Sequence, residues 1–239
     1  MKCREYNKFL KNLKFFFNFG MKFGEDGVPL TKELVLLDSA HITQFFISRT
    51  DDTPVFGVDC KQVLSVKELY KVPQDGELTT IFNPVVEGTE NGEFVWETSG
   101  FQFRNKTFPL NEDDLRKRIT FPHDAFFTIP KGVLRQKLSP YLNIGEYVLF
   151  TSTTGDKPKV AVFINDGLAC AVSNIIADEM QGETFQVCVP KSELKALMKM
   201  SEGPFRVSCK TDTPIEFTWE DQGYRYSYAI APKRVLNED

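Results

Sequence analysis

The feature that most constrains this chain is a recurrence of short β-rich runs, broken by four segments of a different period. "FFISRT", "ELTTIF", "EFVWETSGFQFRNKTF", "EYVLFTST", "KVAVFIN", "ACAVSNII", "TFQVCVP", "FRVSCK", "IEFTW" and "RYSYAIA" tend to alternate apolar and polar residues, with Gly, Pro, Asn and Asp between them. Alternation buries one face of each run, and turn residues at a spacing of about ten imply hairpins, so these runs predict antiparallel sheet. The exceptions are Arg4–Phe15, Lys61–Tyr70, Lys131–Leu138 and Lys191–Met200, where apolar residues recur at helical spacing. The last has the clearest pattern: Pro190 precedes it, and Leu194, Leu197 and Met198 form one apolar stripe. The order helix, strands, helix, strands occurs twice, which predicts an α+β chain of two similar domains, each of antiparallel sheet with two helices. We place the first domain at residues 1–110 and the second at 126–239. Residues 111–125, "NEDDLRKRITFPHDA", are charged, contain Pro122 and have no period, as expected of a linker.

The formal net charge is −4, which taken alone argues against a nucleic-acid binder. Its distribution says otherwise. The stretches Lys2–Lys14, Lys61–Lys71, Lys131–Lys137 and Lys191–Lys199 hold 14 basic and 3 acidic residues, while the remainder holds 15 basic and 30 acidic. Lys191, Lys195 and Lys199 fall on one helical face, as do Arg4, Lys8 and Lys11, and the pairs Lys67 with Lys71 and Lys131 with Arg135. Amphipathic helices commonly show charge to solvent, so one such stripe would mean little. Four, nearly free of acids in an otherwise acidic chain, predict a basic surface facing a polyanion. Lysine suits phosphate contact in which no base sequence is read.

The residues give little support to catalysis. His41 and His123 lack the Cys, His or carboxylate spacing of a metal site, so no metal or cofactor is expected. "TSTTGDKPK" lacks the spacing of a phosphate loop and reads as a hairpin turn. Ser39 and His41 have no third partner and no nucleophile elbow. Five cysteines without a C-x-x-C pair read as reduced thiols, and with no secretory pattern or membrane-length apolar run the expectation is an intracellular protein.

Three stretches carry a resemblance. "LLDSAHITQFFISR" (Leu36–Arg49), "RITFP" (Arg118–Pro122) and "TPIEFTWEDQGYRYSYAIAPKRV" (Thr213–Val235) resemble, in the right order, segments of the proliferating cell nuclear antigen family of DNA sliding clamps. The resemblance implies a clamp fold whose chains join head to tail into a ring, two domains per chain giving a homotrimer around duplex DNA. Helices would line the hole, which gives Lys8, Lys11, Lys67, Lys131, Arg135, Lys191, Lys195 and Lys199 a role in sequence-independent DNA contact. It further implies no active site of its own. The implied partners are a DNA polymerase, other proteins bearing a clamp-binding motif, and an ATP-dependent clamp loader.

In that family a partner peptide with a glutamine and apolar or aromatic anchors docks under the linker, and the C-terminal residues pair with it as an added strand. Matched one by one, the groove would comprise Leu37, Ser39, His41, Ile42, Ile119, Phe121, Pro122, Pro214, Ala231, Pro232 and Lys233. The joining edges are expected at Phe101–Phe108, with Phe101, Phe103 and Phe108, and at Ala169–Ile176, with Cys170, Val172 and Ile175. The sequence departs from the pattern where a strand usually precedes the first helix, at Tyr228-Ala229 in place of paired tyrosines, and at a basic linker, Arg116 to Arg118. A clamp-like subunit acting as monomer, dimer or hetero-ring member remains an alternative. So does a β-rich peptide- or carbohydrate-binding module, which the basic stripes disfavour.

Overall fold

The computed structural model describes Cys3, Arg4, Asn7 and residues 19–21, 33–38, 43–51, 64–66, 71, 73–77, 79–83, 92–98, 100–109, 119–153, 155–164 and 172–233. Sixteen strands lie among these: β1 (Phe19–Met21), β2 (Glu33–Asp38), β3 (Thr43–Arg49), β4 (Leu64–Val66), β5 (Thr79–Asn83), β6 (Gly92–Thr98), β7 (Phe101–Pro109), β8 (Ala125–Ile129), β9 (Tyr147–Ser152), β10 (Val160–Ile164), β11 (Val172–Ala177), β12 (Met180–Gly182), β13 (Gln186–Pro190), β14 (Phe205–Cys209), β15 (Ile215–Asp221) and β16 (Tyr224–Ile230). They form sheets in the orders β1-β4-β7-β6-β5, β11-β10-β9-β13 and β12-β8-β14-β15-β16-β3-β2. Pairing is antiparallel, for example Val162↔Phe150 in β10–β9 and Val207↔Phe127 in β14–β8. The chain divides into two compact units: Met1–Leu37 with Phe45–Arg118 and Glu220–Tyr226, and Asp38–Gln44 with Ile119–Trp219 and Ser227–Asp239.

In the first unit the β6–β7 hairpin turns beside Gly100, at φ +95, a conformation that costs glycine little. Cys3 and Arg4 are helical, and the Cys3 amide donates to the Gly76 carbonyl at 3.1 Å. The expected helix at Lys61–Tyr70 is corrected: Leu64–Val66 is strand β4, paired with β1 on one side and with Thr107–Pro109 on the other. A three-residue Leu-Ser-Val run has apolar ends compatible with either period, and the sheet supplies the hydrogen bonds that decide it. The rest of that segment, and most of Arg4–Phe15, lie outside the described residues.

The second unit follows the sequence closely. β8 alternates strictly, with Ala125, Phe127 and Ile129 inward. Aromatic rings from β9, β14 and β15 build its core: Phe205 meets both Phe217 and Trp219 edge-on, with centroids 6.0 and 5.7 Å apart, and Phe150 meets Phe217 at 5.9 Å. Such edge-to-face packing suits the ring quadrupoles. The helices occupy Val133–Leu138 and Lys191–Met200, burying Leu134, Leu138, Leu194, Leu197, Met198 and Met200. Gly182 in β12 admits no side chain, since a Cβ there would lie 1.9 Å from the Asp124 carbonyl oxygen.

Candidate functional site

Three features of the second unit carry chemistry: the basic residues of two helices, the tail that leaves β16, and the linker exit. The helices are fastened end to end. The Gly132 amide donates to the Glu202 carbonyl at 2.7 Å, the Arg135 guanidinium meets the Glu202 carboxylate at 2.7 Å, and Arg135 also donates to the Met198 carbonyl. Arg135, read from sequence as a phosphate contact, is therefore engaged by the facing helix end. Lys191 is likewise occupied: its ammonium donates to the carbonyls of Ile144, at 3.1 Å, and Gly145. Lys131 and Lys199 are exposed and Lys195 half-buried, and none of these three makes a hydrogen bond or ion pair among the described residues. The apolar stripe Leu194, Leu197 and Met198 turns the opposite way, into the core. Lys8, Lys11 and Lys67 lie outside the described residues.

The described part of the tail runs from Ala231 to Lys233. Pro232 ends the strand because it has no amide proton to donate. The next amide, of Lys233, donates to the Cys188 carbonyl of β13 at 2.8 Å. The Lys233 ammonium donates to the Tyr147 hydroxyl and lies 4.0 Å from that ring's centroid. The hydroxyl bond raises the Lys233 pKa, and burial raises that of the nearby Cys188 thiol. Ala231 and Pro232 are half-buried and line a cleft of about 650 Å³ together with Tyr147, Pro190 and Lys191.

At the linker exit Ile119 is 44% exposed, Phe121 half-buried and Pro122 exposed. Gln44, itself 1% exposed, grips the Ile119 main chain in both directions, donating to its carbonyl at 3.1 Å and accepting from its amide at 2.7 Å. The half-buried Pro214 places its carbonyl 2.9 Å from His123 Nε2, and the His123 and Phe121 rings stand 6.1 Å apart. Leu37 lies on β2, whereas Ser39, His41 and Ile42 fall outside the described residues. Sequence reasoning missed Gln44, His123 and Tyr147 as anchors, since a single polar residue among apolar ones announces no partner.

Of the expected joining strands, β11 ends its sheet, with Val172 half-buried and Ile175 37% exposed. β7 is not a free edge throughout: it sits between β6 and β4, and β4 opposes Thr107–Pro109, including Phe108. Towards the strand's start Phe101 is 57% exposed and stacks on Phe103, with centroids 6.4 Å apart. Cys170 lies outside the described residues. "TSTTGDKPK" is the β9–β10 connection, closed by Thr153 N–H to the Lys159 carbonyl at 2.8 Å. Among the described residues no group of three potential ligands could hold a metal, and no helix is long and apolar enough to cross a membrane.

No protein-family profile matches the sequence, and no curated protein matches it. Solved structures do match. The A. fulgidus PCNA bound to the C-terminal region of FEN-1 is similar at TM-score 0.71 and 14% identity, over 98% of this chain and 97% of that one. PCNA from Thermococcus kodakaraensis gives TM-score 0.69 and 10% identity over 98% of both chains. A chain of the Sulfolobus tokodaii PCNA2–PCNA3 complex gives 0.66 and 12% over 98% and 97%. Along almost its whole length, therefore, this chain has the antiparallel-sheet fold of the PCNA sliding clamps.

Proposed function

We propose that the chain is a DNA sliding clamp, a non-catalytic processivity factor that encircles duplex DNA and tethers replication and repair proteins. The observation that carries this reading is the likeness to PCNA structures over 98% of the chain. Two domains, 1–110 and 126–239, joined by the linker 111–125, would make up each protomer. Three protomers would close a ring through β11 of one and the first part of β7 of the next, a pairing that removes two exposed strand edges. Lys131 and Lys199, with Lys8, Lys11 and Lys67, would meet phosphates; the bonds of Lys191 and Arg135 suit them to holding the helices in place, and the half-buried Lys195 lines the cleft beside the tail. A tethered polymerase gains effective concentration from encirclement, without new affinity. The FEN-1 segment bound to the A. fulgidus protein supports a peptide-docking role, for which we take the linker exit and the tail as the surface. A clamp loader would open the ring.

The test is topological. A ring threads onto linear duplex with free ends and is shut out when both ends are blocked by bulky protein caps. Open-ended duplex whose ends are capped after mixing should retain a species three times the 27.3 kDa chain mass, and duplex capped beforehand should not. Equal binding to both substrates would sink the reading. A second reading, membership of a hetero-ring, is favoured by the likeness to the PCNA2–PCNA3 complex and predicts that the chain alone has single-chain mass.

A further inference from the structure

The cleft beside the tail has a charge of its own. Lys191, Lys195 and Lys233 line it, and Glu146 is its one acidic lining residue. The bonding partners of these ammonium groups are neutral. Lys191 uses the Ile144 and Gly145 carbonyls, Lys233 uses the Tyr147 hydroxyl, and Lys195 has no bond among the described residues. Glu193, on the first turn of the helix above the cleft, accepts from the Tyr228 hydroxyl. Each ammonium has three protons, so every one of the three lysines keeps at least one to donate.

We propose that this cleft takes the carboxylate of a glutamate or aspartate from an extended partner segment lying along Ala231–Lys233. The proposal rests on the reading of the tail as a partner site and adds the chemistry of what enters it. A neutral amide side chain would gain ordinary hydrogen bonds there. A carboxylate gains charge-assisted ones, which are roughly twice as strong, and offsets an excess of positive charge. Pro190, Ala231, Pro232 and Tyr147 make the rest of the lining, a concave and partly apolar setting suited to one side chain of an extended peptide. Duplex phosphates, by contrast, call for cations spread over an open face.

The experiment compares two fluorescent peptides with the same apolar and aromatic anchors, one carrying glutamine and the other glutamate at the position meeting the cleft. The full chain should bind the glutamate peptide about fivefold to tenfold more tightly, and added salt should shrink that ratio. Lys195→Met should erase most of the preference while leaving the glutamine peptide within about twofold of wild type. Lys233→Met should bring the two affinities together, whatever it does to both; circular dichroism checks that both variants fold. Equal affinity for the two peptides would overturn the proposal and leave the tail as a docking site. Binding of neither peptide would overturn the docking reading and the proposal with it. Displacement of the glutamate peptide by short duplex DNA, lost together with DNA binding in Lys195→Met, would make the cleft a phosphate site and also overturn it.

Discussion

Gln44 fixes the linker exit by bonding both main-chain groups of Ile119, so truncating it leaves two backbone groups to find water. Gln44→Ala should cost about 1–3 kcal/mol, read by denaturant unfolding, and should speed proteolysis near Ile119. Cys209 tests burial instead of bonding. Desolvation, helped by Asp124, pushes its thiol from 9.0 up to about 12. The unfolded thiol gives up its proton first as pH rises, so the native state binds more protons between about 9 and 12. Stability should fall across that window by up to about 1.4 kcal/mol per pH unit from this group, and Cys209→Ala should flatten the fall. The basic residue types were legible in the sequence, but their bonds were not. Periodicity gives Arg135 and Lys191 an outward face, while the carbonyls and carboxylate that engage them come from residues distant in sequence, Glu202 and Ile144 among them.

Among elements, Lys191–Met200 was readable to its ends because a proline start and an unbroken apolar stripe agree. The helix expected over Lys131–Leu138 starts two residues later, since Gly132 adopts φ +79 and serves as the cap. β12 and β4 were missed for a shared reason: three residues carry too little pattern, and their strand character comes from neighbours they pair with. The helix Lys191–Met200 buries one face in the core and, on the reading proposed above, offers another to DNA. Leu197→Ala should cost about 2–5 kcal/mol, because it empties a fully buried site. Lys199→Ala should stay within about 0.5 kcal/mol of wild type. It should also reduce the salt slope of DNA binding by about 0.9 for each phosphate that the ammonium neutralises. A salt slope unchanged in Lys199→Ala would remove that residue from the DNA-facing set.

For the whole molecule, the alternation of strands and helices made the fold legible at 14% identity or less to the solved clamps, a level at which no family profile responds. Spacing of turns and periods of burial survive substitutions that erase residue identity. The order of strands within sheets was not legible, and β7 shows why: nothing in "FQFRNKTFP" announces that β4 will cover its last three residues. Assembly tests what lies beyond one chain. Ile175→Asp on the outer strand β11 places a charge on an exposed apolar position, so the monomer should keep its melting temperature within a few degrees. Light scattering should find single chains only, where the proposed ring requires wild type to give a three-chain species. A variant that still assembles would move the joining surface away from β11.

Lys233 beside the Tyr147 ring also makes the tail observable. Protons close to an aromatic ring feel its circulating electrons, so the ε-methylene resonances of Lys233 should be displaced from those of ordinary lysines. An acidic side chain drawing that ammonium off the ring would return them to their usual position. The end of β16 thus carries its own magnetic reporter, readable without a label and separate from any measurement on DNA.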